Sequence, residues 1–103
     1  MSTATSFEAT TYQPPTWEVI AEAHARVAPR IHRTPIFTSS SLDGLAGAQL
    51  FFKCENLQKT GSFKIRGAAN AILSLSSEQA AHGIVTQSSG NHGAAVACAA
   101  AWG

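Results

Sequence analysis

An α/β unit of parallel strands joined by crossover helices is the fold class this chain predicts, and three observations carry it. Two short apolar runs, at residues 50–54 and 84–86, read as buried strands. Each is followed by a turn containing Gly and Ser, and then by an alanine-rich stretch with helical spacing. The resulting strand–helix–strand–helix order favours parallel pairing through right-handed crossovers.

Composition narrows the function classes. A chain of 103 residues, 45% of them apolar, makes one small domain at most. Seven Lys and Arg against six Asp and Glu leave a net charge of +1, with neither a basic nucleic-acid surface nor an acidic tail. No apolar run approaches the length of a membrane span, and the first residues lack the basic start and apolar centre of a signal peptide. Cys54 and Cys98 sit in apolar surroundings without a Cys or His partner at metal-ligand spacing. They read as reduced thiols of a cytoplasmic protein, and no residue is assigned to a metal.

The elements follow in order. Residues 1–15, rich in Ser, Thr and Ala and closed by Pro14-Pro15, read as a loose N-terminal arm. Residues 16–103 form the folded unit, with an internal boundary near 76–82. Thr16 caps a helix whose apolar face is Ile20, Ala23, His24 and Val27, and Pro29 stops it. His24 reads as a packed or rim histidine rather than a ligand. His32-Arg33-Thr34-Pro35 is extended, because a residue before proline is driven out of helical geometry. The hydroxyls of 38–41 then open a short helix at 42–45, ended by Gly47. After the strand at 50–54 comes a loop to residue 60. A helix runs from Ser62 to about residue 75, with Ile65, Ala68, Ala69, Ile72 and Leu75 on the apolar face and Arg66, Asn70 and Ser74 on the wetter one. Residues 76–82 are a polar linker or short helix. The last helix, over 94–102, is almost wholly small or apolar, so it is expected to be buried on most of its surface.

Two stretches carry chemistry. In Lys59-Thr60-Gly61-Ser62-Phe63-Lys64-Ile65-Arg66-Gly67, the turn and Ser62 place Lys64 in the first turn of a helix. The partial positive charge of a helix N-terminus disfavours a cation there by about 0.3–1 kcal/mol. Burial and the like charges of Lys59 and Arg66 act in the same direction, towards a neutral, nucleophilic amine. An exposed lysine lying along its helix is the plainer alternative. The second stretch, Thr86-Gln87-Ser88-Ser89-Gly90-Asn91-His92-Gly93, leaves a strand and opens a helix, so its N–H groups form an anion site. A Ser/Asn helix cap is the plainer alternative there. Amine and anion loop together suit an amino acid held at both ends.

Both motifs resemble those of the fold-type II pyridoxal-phosphate enzymes, specifically the serine racemase and serine/threonine dehydratase family, from about residue 31 to the last residue. The resemblance implies a tryptophan-synthase-β-like fold, incomplete here, with pyridoxal 5'-phosphate held covalently by Lys64. Lys64 would also move the Cα proton, Phe63 would lie beside the cofactor ring, and Asn91 would hydrogen-bond its 3'-oxygen. Ser88, Ser89, Gly90, Asn91 and His92 would grip the substrate carboxylate. Ser89 occupies the position from which racemases of the family protonate the face opposite the lysine, whereas threonine dehydratases typically read Ser-Ala-Gly-Asn-His. Cysteine-synthase-like enzymes carry an acidic residue after the lysine and Ser-Gly-Asn-Thr in the loop, so Ile65-Arg66-Gly67 and His92 oppose that branch. Resemblance to animal serine racemases adds an ATP effector site between subunits at Ser39, Ser40, Lys59 and Thr60, although Ser41 stands where an apolar residue is usual. A divalent cation is a further effector implied by the family.

The family's phosphate cup, the partner of its pyridine nitrogen and its metal carboxylates lie beyond residue 103. The chain is therefore expected to be the N-terminal part of a homodimeric cytoplasmic enzyme, inactive on its own. That enzyme would convert L-serine or L-threonine to the 2-oxo acid and ammonia, and would interconvert L- and D-serine. The rival expectation is a catalytically inactive truncated remnant or interaction module.

Overall fold

The computed structural model describes residues 11–102. Residues 1–10 of the expected N-terminal arm lie outside that range, and 11–15 are exposed without regular structure. Helix α1 (Trp17–Val27) starts where the sequence placed it: the Thr16 hydroxyl accepts the Val19 N–H at 3.3 Å. Such a cap contributes about 1 kcal/mol. The helix ends in a tight turn, Ala28–Arg30, that contains Pro29. Val27 is buried and Ala23 half-buried, while Ile20 and His24 stay exposed.

Strand β1 (Ile36–Phe37) pairs with β2 (Phe52–Lys53). The pairing is antiparallel, Ile36 opposite Lys53 and Phe37 opposite Phe52, and the Cys54 N–H extends it to the Pro35 carbonyl at 2.9 Å. Between the strands, α2 (Ser40–Ala46) takes Ser39 as its N-cap and Gly47, at φ 65°, as its left-handed C-cap. The Asp43 carboxylate then accepts the Leu50 N–H at 2.8 Å and turns the chain back. This short reversal corrects two expectations. The first strand was not foreseen at 36–37, and the pairing among the described residues is not parallel. The run at 84–86 is unpaired, with Val85 97% exposed. A parallel crossover requires its helix to pack back onto the sheet. Here α3 (Lys64–Leu73) packs instead on α1 and α5 (Asn91–Ala100), so nothing carries 84–86 alongside β2.

The core is the meeting of these three helices. Val27, Ile65, Ala68, Ala69, Ile72, Ala95 and Ala99 are buried together, flanked by Ile31, Leu73, Val96, Cys98 and Trp102. Four of the five apolar positions read from the α3 spacing are thus the observed ones; Leu75 falls outside the core because α3 ends at Leu73, two residues short of the expected end. Asn70 on its wetter side accepts Arg26 of α1 at 2.5 Å. Helix α5 departs from expectation: only Ala95 and Ala99 are fully buried, because only one of its faces meets α3. Between α3 and α5 the polar stretch folds as α4 (Ser77–Ala81), closed by a capping box between Ser76 and Gln79 at 2.9 and 3.1 Å.

Candidate functional site

The approach to α3 is a tight reversal. Thr60 has φ 64° and Gly61 φ 77°, two successive left-handed residues. Glycine adopts this conformation freely, but for β-branched Thr60 it costs about 1–3 kcal/mol and persists only where neighbours impose it. Ser62 is extended and Phe63 already helical, and the Ser62 hydroxyl accepts the Lys64 N–H at 3.4 Å. Ser62 therefore caps α3, and Lys64 stands in its first turn as expected.

The three lysines are placed differently. Lys53 donates its ammonium to the Thr34 carbonyl at 2.7 Å. Lys59 lies 5.3 Å from the centre of the Trp102 ring, which Arg30 approaches at 5.9 Å. Lys64 is exposed and lies only over its own neighbour, with its Nζ 5.3 Å from the Phe63 ring. Phe63 is itself 59% exposed.

Beneath the turn sits a polar network that the sequence did not disclose. Arg66 forks onto Glu55, with Nε donating to Oε1 and Nη2 to Oε2, the latter at 3.1 Å. Glu55 also accepts the Thr34 hydroxyl at 2.5 Å. These donors, Arg66 foremost and then Thr34, with the charge of Lys53 behind them, outweigh the effect of burial and hold the Glu55 carboxyl down at about 2. The same pairing raises the Arg66 guanidinium above its ordinary range. Arg66 is thus not the unpaired like charge beside Lys64 that its position suggested; Glu55 compensates it. Buried Gln58 grips His32 at both backbone groups, accepting its N–H at 2.8 Å and donating to its carbonyl at 2.7 Å, and it also accepts the Lys59 N–H at 2.9 Å. Thr34, Glu55 and Gln58 were missed because no helical or strand period links residues 21 or 26 positions apart.

Ser88, Ser89, Gly90, Asn91 and His92 are all exposed at the start of α5. The Ser88 hydroxyl accepts the Gly90 N–H at 3.1 Å, and no side chain caps the helix. The N–H groups of its first turn are therefore available to an anion, as the loop's composition suggested. A Cβ on Gly93 would stand 3.3 Å from the Ser88 Cβ, so glycine there is what lets Ser88 lie against the first turn.

Among the described residues no hydrogen bond or ion pair joins Phe63 or Lys64 to the 88–92 loop. Lys59 meets Trp102 beyond the C-terminal end of α5, whereas the loop precedes its N-terminal end. The ten residues of α5 separate those ends by roughly 15 Å at 1.5 Å per residue. Ser39, Ser40, Lys59 and Thr60 are likewise not joined: Ser39 caps α2, Lys59 faces Trp102, and Ser40 and Thr60 are exposed. A cleft of about 650 Å³ lies on the other side of the network, lined by His24, His32, Arg33, Lys53 and Arg66 among others. It contains neither Lys64 nor the 88–92 loop, and exposed His24 is among the residues that line it. Cys54 and Cys98 are free and half-buried. Among the described residues no cluster of three or more His, Cys, Asp or Glu is gathered for a metal, and no helix is long and apolar enough to cross a membrane.

The family described as "Pyridoxal-phosphate dependent enzyme" matches residues 27–102. Serine racemase of Arabidopsis thaliana is 64% identical over 81 residues, 79% of this chain and 24% of that protein. The beta-hydroxyaspartate dehydratase of Paracoccus denitrificans (strain Pd 1222) is 56% identical over 86 residues, covering 84% of this chain and 27% of the relative. The structure of maize serine racemase superposes with a TM-score of 0.77 at 58% identity, over 82% of this chain and 26% of that one. The chain thus spans about a quarter of the length of the curated relatives it matches.

Proposed function

This chain belongs to the pyridoxal-phosphate-dependent enzyme family, and from that premise we propose that the whole protein is a lyase and racemase of hydroxy amino acids. Its substrates are L-serine and L-threonine, converted to the 2-oxo acid and ammonia, with interconversion of L- and D-serine as a second activity. Relatives named serine racemase and beta-hydroxyaspartate dehydratase support both halves of this reading.

The observation that carries it is the contrast among the lysines. The Lys53 ammonium is taken by the Thr34 carbonyl and Lys59 is half-buried against Trp102, whereas Lys64 and the Phe63 ring it lies over are both exposed. One helical turn on, nothing lies within 4 Å of where a Cβ on Gly67 would stand. An amine, an apolar ring face and an open small-residue step fit a flat aromatic aldehyde, so the residues present suit pyridoxal phosphate. Once bound, the cofactor supplies the electron sink for a carbanion at Cα.

The chain's own residues do the remaining work. Lys64 holds the cofactor and moves the Cα proton on its own side of the substrate plane. Phe63 would lie beside the cofactor ring, and Asn91 would orient the group by a neutral hydrogen bond. Ser88, Ser89, Gly90, Asn91 and His92 bind the carboxylate at the α5 N-terminus, where the helix dipole favours an anion. Ser89 delivers or removes the proton on the face Lys64 does not reach.

Borohydride reduction of the whole protein with pyridoxal phosphate, followed by peptide mapping, tests the assignment. The expected result is a label on Lys64 that disappears in Lys64→Ala. A label on Lys53 or Lys59 instead would sink it.

A further inference from the structure

We propose that Glu55 is a positioning residue for Lys64, acting through Arg66. This rests on the reading that Lys64 carries the cofactor. Lys64 and Arg66 are two residues apart in the first turn of α3, about 200° round the helix at 3.6 residues per turn. Arg66 points into the network and Lys64 into solvent. The buried face of Ile65, Ala68, Ala69 and Ile72 sets the rotation of α3, and the Arg66 side chain holds its first turn, and with it the direction in which Lys64 leaves.

Glu55 is suited to be the fixed end. It is held by the hydroxyl of Thr34, a residue only 5% exposed, and Thr34 in turn accepts Lys53 at its carbonyl. Three residues on, Gln58 fastens the same segment to both backbone groups of His32. Glu55 and Gln58 on one side and Arg66 on the other thus close the 55–66 loop, within which Thr60 sits at φ 64°. A β-branched residue keeps that conformation only where its surroundings over-determine it. The ion pair is the closure on the α3 side. Without it, Thr60 can relax out of the left-handed region and the first turn of α3 can loosen, shifting Lys64 with it.

The test uses the whole protein, stripped of pyridoxal phosphate and then reconstituted with it. The unaltered protein, Glu55→Gln, Glu55→Asp, Arg66→Lys and the double variant Glu55→Gln/Thr60→Asn are compared. Three quantities are read: the rate of covalent capture by Lys64, the visible circular dichroism of the bound cofactor, and the thermal midpoint. A 1 Å misplacement of a reacting group costs about 100-fold, so Glu55→Gln is expected to slow capture by about 10- to 100-fold and to alter the dichroism. Arg66→Lys keeps the charge but loses the two-pronged geometry, so it is expected to show a smaller effect of the same sign. It also carries the test if Glu55→Gln does not fold. Glu55→Asp should recover part of the rate. Thr60→Asn, which tolerates positive φ, should recover part of it in the Glu55→Gln background. A lowered thermal midpoint with capture rate and dichroism unchanged would show that the pair only stabilises the fold, and overturns the proposal. So would absence of any rescue by both Glu55→Asp and Thr60→Asn. Absence of capture on Lys64 in the unaltered protein overturns the cofactor reading itself, and the proposal with it.

Discussion

Ser89 is the residue whose chemistry divides the two proposed activities. In the proposed function Lys64 would reach one face of a planar substrate, and removal of the Cα proton followed by loss of the β-hydroxyl needs no group on the other. Inversion needs one, and a well-placed general acid–base group contributes about 100- to 10,000-fold. Ser89→Ala in the whole protein is accordingly expected to leave L-serine and L-threonine dehydration largely intact. D-serine formation should fall by a factor in that range. Both activities are read on one preparation. Equal loss of both would reassign Ser89 to carboxylate binding, and unchanged D-serine formation would assign the far face to another residue. The place of Ser89 and the 88–92 loop at a helix start was legible in the sequence because a helix start and its small polar residues are local features. Thr34, Glu55 and Gln58 were not, because they meet their partners only through the tertiary path of the chain.

At the scale of elements, α3 shows how a local signal and a distant contact combine. Its start is set by Ser62 and its buried face by the spacing of Ile65, Ala68, Ala69 and Ile72, all local. Its orientation is tied to the segment before it by Arg66 and Glu55, and that tie is titratable. The Glu55 carboxyl is lowered from an ordinary 4.5 to about 2 in the fold. A depressed carboxylate contributes stability that is fully present above its unfolded value and lost as pH falls through its folded one. The whole protein should therefore lose stability as pH falls from about 5 towards 2, and Glu55→Gln should flatten that part of the dependence. Charge-assisted hydrogen bonds contribute about 1.5–3 kcal/mol, and the 32% exposure of Arg66 puts this pair at the lower end. Urea denaturation of both proteins at pH 6 and pH 3 measures it. An equal pH dependence in the two would show that Glu55 does not govern it.

At the scale of the molecule, the core is small for the surface it must anchor. Ile65 is the one large side chain fully buried among the described residues. Val85, Leu45, Phe51, Ile36 and Phe37 remain between 57% and 97% exposed, and among the described residues the β1–β2 ribbon has no further strand beside it. The radius of gyration is 18.8 Å, against about 13 Å for a compact 100-residue domain. An isolated ribbon of two strands is marginal in water, and apolar surface on this scale promotes association. The 103-residue chain by itself is therefore expected to bind a dye specific for exposed apolar surface and to melt without a cooperative transition. A single calorimetric transition of about 60–80 kcal/mol, normal for 100 residues, would contradict this.

The sequence by itself determined what depends on near neighbours along the chain: the Thr16 and Ser62 caps, the Pro29 and Gly47 stops, most of the buried face of α3, and the place of Lys64 in its first turn, though not its exposure, since burial was expected there. The two motifs and their order also led to the pyridoxal-phosphate-dependent family, because both are contiguous. Tertiary structure alone decided the antiparallel β1–β2 register and the unpaired run at 84–86. It likewise decided the seat of Lys59 against Trp102 and the Glu55–Arg66 pair. The reason is one of range. Caps, turns and amphipathic faces are fixed within about four residues by backbone geometry. Strand partners and buried ion pairs are chosen by which surfaces the helices cover, and here α3 covers α1 and α5 rather than the ribbon.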